Sequence, residues 1–218
     1  MALVDHHPQF KEAIINGCDW LSAQISERGQ ICSTSTKEED WLEKNRFIPE
    51  AYRLYALEPL LVSAKKWNIA HYAESVERAL HYYTGNETFT EFNTLSHFHA
   101  YILEALIDLG QIDCARQGME TIALLQRENG AIPAYHDVHW VCSTGLFQYA
   151  VIWYKLGMTH QADLALSYGS KLQNKSGGFF GSYGLKATYI ANQEISWAVK
   201  YFLDALWWHY NRQTKVNE

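Results

Sequence analysis

The chain repeats itself at a fixed step. Ser96, Leu109-Gly110, Ala115, Leu125-Gln126 and Gly130 return as Ser143, Leu156-Gly157, Ala162, Leu172-Gln173 and Gly177. Each of these steps is 47 residues, with no gap between them. A period of this size marks an array in which one unit buries a face against the next. A looser copy, WLSAQISERGQI at 20–31, lies near the N-terminus.

One repeat reads as two helices. The first ends at Leu-Gly, because glycine takes the left-handed conformation past a helix C-terminus without a Cβ clash. The second starts within a few residues and runs to Leu-Gln. CSTGLFQYAVIWYKLG (142–157) is apolar nearly all round, as a helix buried on several sides should be. THQADLALSYGSKLQ (159–173) places Ala162, Ala165, Leu166, Gly169 and Leu172 on one stripe, which predicts a surface helix. Inner and outer helices therefore alternate.

The pattern extends in both directions. Residues 8–25 predict an outer helix, and FIPEAYRLYALEPLLVSAKKW (47–67) an inner one, with Pro49 in its first turn and a kink at Pro59. IAHYAESVERALHYY (69–83) is its outer partner, and 192–210 is a last inner helix with Asn192 as N-cap. The reading gives eight helices and no strand in one domain over 1–212. A polar loop spans 26–46, and a disordered tail runs over 213–218.

Hydrophobic residues make up 48% of the chain and charged ones 19%, enough for a buried core. The net charge of −6, with no basic stripe, speaks against a nucleic-acid partner. No run of about 18 apolar residues predicts a membrane span. MALVDHHPQFKEA at the start lacks the apolar core of a signal peptide, so a cytoplasmic location is expected. Cys18, Cys32, Cys114 and Cys142 are scattered, which suits free thiols in a reducing compartment.

Alternation of apolar inner and amphipathic outer helices resembles the α/α toroid. Gln-x-x-x-Gly-x-Phe, carried by Gln173, Gly177 and Phe179, resembles the QW-type repeat of terpene cyclases and protein prenyltransferase β-subunits. The Gln126–Gly130–Ile132 copy lacks the aromatic, and Gln24 to Gly29 has one extra residue. The resemblance implies an all-α toroid, here a partial or open ring of about four hairpins. It implies a glutamine amide bonded to a helix end and a ring wedged between hairpins. It does not reach the catalytic motifs. Neither D-x-D-D nor D-D-x-x-D occurs, which weakens an isoprenoid-handling role. WVCSTGLFQYAVIWYKLG, with NQEISWAVKYFLDA downstream, resembles toroid proteins encoded with bacterial surface-polysaccharide genes. Some of those occur beside methyltransferase modules. That resemblance implies a sugar-related ligand.

In such a ring the inner helices start at one mouth of the cavity, and helix N-termini there favour an anionic ligand. The candidate catalytic residues are Glu50, His97, His99, Asp137, His139 and Glu194. Glu50 and Glu194 each fall in a first helical turn, where an acid is favoured in any case. His97 and His99 point about 200° apart on a helix, so one of them belongs to the core. His136, Asp137 and His139 share a loop, which is either solvated or functional. Tyr52, Arg53, Trp140, Ser143, Tyr183, Tyr189 and Trp197 are candidate substrate-binding residues, the tryptophans either core or sugar-stacking. The glycine-rich loop 176–191 is either a lid or a plain connection. Zinc would draw on Asp137, His139 and Cys142, but their spacing matches no compact motif, and no cofactor is expected. A histidine or glutamate acid/base pair is the better-supported chemistry.

Two main functions stand side by side. One is an enzyme of bacterial surface-polysaccharide (O-antigen or capsule) biosynthesis acting on a sugar, nucleotide sugar or glycan. The other is a non-catalytic toroid that binds a glycan or a partner enzyme. A second copy would also cover the edges of an open ring.

Overall fold

Eight α-helices carry the described residues, which in this computed structural model are 7–32, 50–86 and 88–211. They are α1 (Lys11–Ala23), α2 (Glu58–Trp67), α3 (Ala70–Thr84) and α4 (Ser96–Asp108), then α5 (Ile112–Leu125), α6 (Ser143–Lys155), α7 (Thr159–Ser170) and α8 (Ser196–Asn211). The protein is thus mostly helical, as the periodicity predicts. No helix among the described residues is long and apolar enough to cross a membrane. The expectation of no strand is corrected at one place. β1 (Val141–Cys142) pairs antiparallel with β2 (Ser182–Tyr183). Two residues per strand are too few to leave an alternating pattern in sequence.

The described residues divide into two compact units, 7–32, 50–86 and 88–89 in the first and 90–211 in the second. In the first unit α2 packs on α3 and α1 lies against both. Side chains tie them: Cys18 Sγ to Ser63 Oγ at 3.2 Å, Ser22 Oγ to Ser75 Oγ at 2.8 Å, and the Tyr72 hydroxyl donating to Asp19 at 2.6 Å.

In the second unit α6 is the centre. It packs against α4, α7 and α8, while α5 lies on α4. Every residue from Ser143 to Tyr154 is buried. Burying an aromatic or branched side chain contributes about 1.5–3 kcal/mol, so α6 anchors this unit. Ala162, Ala165, Leu166 and Gly169 are the buried stripe of α7, as its sequence predicts. Gly169 lets Phe147 lie directly on the α7 backbone, and Phe147 meets Phe179 at a ring separation of 4.9 Å.

The repeat is visible bond for bond. Gly110 and Gly157 are left-handed, φ 82° and 77°. Gln111 N–H donates to Leu106 C=O as Met158 N–H does to Trp153 C=O, closing the same Schellman turn. The turns after α1, α5 and α7 are equally alike. Gly29, Gly130 and Gly177 have φ 95°, 91° and 90°. In each, the glycine N–H donates three residues back, to Ser26, Arg127 or Asn174, whose own N–H bonds just past the glycine. The glutamines do not share one role. Gln126 Nε2 reaches Gln161 O on α7, Gln173 Nε2 closes its own turn on Gly177 O, and Gln24 Nε2 folds back on Trp20 O.

Several boundaries differ from the sequence reading. The helix read over 47–67 is a 3₁₀ stretch, Glu50–Ala56, followed by α2, and Pro59 opens α2 instead of kinking it. Its first residues, 47–49, lie outside the described residues, as do loop residues 33–46 and the tail 213–218. The last inner helix starts at Ser196, so Asn192 is not its N-cap. Phe180 and Glu194 bridge as extended backbone, which delays the helix.

Candidate functional site in the second unit

The starts of α4, α6 and α8 meet within this unit. Ser96 N–H donates to Ala134 C=O at 2.8 Å, and Ser143 N–H, 47 residues on, donates to Gly181 C=O at 3.1 Å. Ile195 N–H, one residue ahead of α8, donates to Phe179 C=O at 3.0 Å. α4 and α6 approach so closely that a Cβ on Gly145 would fall 2.8 Å from His97 N. Cys142 sits in the junction. Burial pushes its thiol up to about 11, and N–H groups of Gly145, Thr144 and His97 aimed at the sulfur resist this.

His97 is the group with unspent chemistry. Its side chain is 5% exposed, and Nδ1 lies 2.7 Å from Gln148 Oε1. The amide oxygen accepts, so Nδ1 carries the proton and Nε2 is the bare nitrogen. Nε2 has no hydrogen-bond partner among the described residues. Burial lowers the His97 pKa to about 4, against a smaller upward pull from Gln148. At neutral pH it is an uncharged base held in one tautomer.

Aromatic rings surround it. Tyr101 and Tyr189 have ring centres 4.7 Å and 6.1 Å from the imidazole. The Trp197 indole is directed at the Tyr189 hydroxyl, whose pKa burial raises to about 12. Farther along, Tyr201 meets Tyr101 edge-on at a ring separation of 6.1 Å, and burial drives its pKa strongly up. The Gln148 Nε2 is directed at Tyr201 but placed too loosely for a regular hydrogen bond. The polar seam ends at Lys155, which meets Glu104 at 3.2 Å and Asp108 at 2.8 Å. Burial raises the Glu104 pKa and Lys155 opposes it, while the two carboxylates keep Lys155 charged.

Other expected residues lie elsewhere. His99 is fully enclosed, with Nε2–H donating to Thr90 C=O at 3.0 Å and Nδ1 accepting from Tyr149 at 2.8 Å, so it is the core member of the histidine pair. Trp140 is buried with Leu95, Ala134 and Cys142 and offers no open face for stacking. The Ser143 hydroxyl donates to Phe180 C=O at 2.7 Å, and Tyr183 accepts from Phe180 N–H at 2.7 Å. Both therefore fasten the loop. His136 and Asp137 are exposed, and His139 is held by Arg127 at 3.2 Å. Asp137, His139 and Cys142 are not gathered into one group.

The carboxylates are engaged locally. Glu194 is exposed and accepts from Ser176 and, at 2.8 Å, Asn174, contacts that lower its pKa. Glu50, in the first unit, opens a 3₁₀ stretch instead of a helix. It accepts from Tyr83 and, at 3.0 Å, Gln30. Tyr52 and Arg53 line a separate pocket of that unit, about 210 Å³, with Trp20, Gln24, Ile31 and Tyr55.

Loop 176–191 is a fitted connection. A Cβ on Gly178 would touch Glu194 Oε2 at 2.5 Å, one on Gly181 would meet Tyr189 O at 2.6 Å, and one on Gly184 would meet Trp140 at 3.0 Å. Gly178, Gly181 and Gly184 therefore serve close packing, whereas Gly177 faces open space. Sequence reasoning passed over Tyr101, Gln148 and Tyr201. Tyr101 is four residues after His97, one turn along the same face, and Gln148 is the lone amide in an apolar helix.

No family model matches this chain, and neither a curated protein nor a solved structure does.

Proposed function

We propose that the protein binds a polyhydroxylated ligand at the joined starts of α4, α6 and α8, and that His97 acts on it as a general base. The ligand class is a sugar, nucleotide sugar or glycan of the kind used in bacterial surface-polysaccharide assembly. The supporting observation is the bare Nε2 of His97, with Nδ1 tied to Gln148 and Tyr101, Tyr189 and Trp197 around it. Aromatic faces suit the apolar side of a sugar ring, and a base must lie within hydrogen-bond reach of the proton it removes. The resemblance of the repeat to toroid proteins supports this reading too. In it the helices alternate as the inner and outer helices of an α/α toroid.

Binding without turnover is a second reading. It is favoured by the absence of any charged group acting on His97 among the described residues.

Saturation-transfer NMR with UDP-sugars and uronic acids, followed by solvent-deuterium incorporation, separates the two. Under the first reading, wild type binds and exchanges a ligand C–H, and His97→Gln still binds but exchanges at least about 100-fold more slowly. Binding with no exchange supports the second reading. If no member of the panel contacts Tyr189 or Trp197, both fail.

A further inference from the structure

Each complete hairpin of the second unit seats a large inner side chain on an outer glycine. Leu103 of α4 is fully buried on Gly118 of α5, where a Cβ would fall 2.5 Å from Leu103 Cδ2. Phe147 of α6 lies on Gly169 of α7 in the same way. The helix α8 has no such outer partner among the described residues. Its neighbours are α6 and α7, and Leu203, Trp207 and Tyr210 form an exposed stripe at 56%, 56% and 72%. Leu203 stands seven residues after Ser196 as Leu103 stands seven after Ser96, the first residues of α8 and α4.

The turn after α7 is empty in the matching way. A Cβ on Gly29 would overlap the Arg78 carbonyl of α3, and one on Gly130 the Leu164 carbonyl of α7. Each turn thus nests on the next outer helix. At Gly177 a Cβ would meet nothing within 4 Å. Two separate features, a bare inner helix and a bare turn, call for one more outer helix.

The helix α1 is an outer helix with the complementary vacancy. Its neighbours are the Pro8–Phe10 stretch, α2 and α3, and no inner helix among the described residues precedes it. Gly17 lies 12 residues before Gly29, as Gly118 lies 12 before Gly130, and a Cβ on it would meet nothing within 4 Å. Leu164 and Tyr168, which bear the Gly130 turn, lie 13 and 9 residues before Gly177. The residues 13 and 9 before Gly29 are Asn16 and Trp20, both exposed.

We propose that α8 of one copy pairs with α1 of a second copy. The two complete an inner–outer hairpin between molecules, with Leu203 on Gly17 and the Gly177 turn on Asn16 and Trp20. The occupant is a second copy because its α1 carries the glycine, the register and the open aromatic that this seat requires. The contact joins unlike surfaces, so it closes a ring or continues as a chain of copies. It is independent of the role given to His97.

Sedimentation velocity over a wide concentration range tests this. Wild type should reach a mass of at least about twice the 25.1 kDa chain. Gly17→Glu and Leu203→Glu should each be monomeric, with unchanged helical circular dichroism, since both positions are exposed. Mixed, the two variants should form a complex of one copy of each, because one intact α8 then meets one intact α1. A wild type that stays monomeric overturns the proposal, whether α1 of the same chain or another protein fills the seat. So does a Gly17→Glu variant that still dimerises, which would point to contact between two α8 helices.

Discussion

His97 and His99 sit two residues apart and are held in opposite ways. His99 uses both nitrogens within the core, while His97 uses one and leaves the other without a hydrogen bond among the described residues. The sequence spacing shows that they diverge but not which one is idle, since that depends on partners some 50 residues away, Gln148 and Tyr149. Burial lowers both from 6.5 to about 4. The folded state therefore binds fewer protons than the unfolded state between those values. Their contribution is fully present above about pH 6.5 and is lost as pH falls towards 4. The urea midpoint should drop between pH 7 and pH 4.5, and His97→Gln should flatten that slope. An identical slope in the variant would remove His97 from this account. Glu50 and Glu194 show the reverse limit of sequence reading. Both look like first-turn acids, yet each is committed to a local hydrogen-bond set that no spacing rule announces.

Among helices and turns, legibility follows locality. The Leu-Gly stops, the buried stripe of α7 and the all-round burial of α6 were readable because each depends on residues within a turn or two. Glu50–Ala56 and the late start of α8 were not, because each meets backbone distant in sequence, as Arg53 does at Ile31 C=O. The Glu194 bridge to Phe180 is one case. The three equivalent turns give a controlled comparison. Gly130 and Gly177 share φ near 90°, so alanine at either costs about 1–2 kcal/mol in left-handed strain. Of these two, Gly130 faces a backbone carbonyl and Gly177 faces open space. In denaturant titrations of the monomeric Leu203→Glu background, Gly130→Ala should destabilise by at least about 2 kcal/mol more than Gly177→Ala, since Leu164 cannot yield without shifting α7. Equal losses would mean that the nest on α7 is loose.

On the scale of the whole molecule, protection should be graded. Amide exchange should be slowest in α6, which is covered on every side, and faster in α1, where Cys18 is the one buried residue. A uniform protection pattern would contradict a centre at α6. The fold class was legible because a 47-residue rhythm states that like helices stack on like. The site was legible only in part, since its position follows from that rhythm whereas Gln148 and Tyr201 enter from other helices. The thiols of this chain have a practical use as reporters. Cys32 is exposed, Cys18 and Cys142 are buried, and burial holds the Cys142 proton on to about 11. An aromatic disulfide reagent at mild alkaline pH should colour with Cys32 within its mixing time and wait for Cys142. The lag before that last thiol reacts would time how often the ground beneath His97 breathes open, and a ligand seated there should lengthen it.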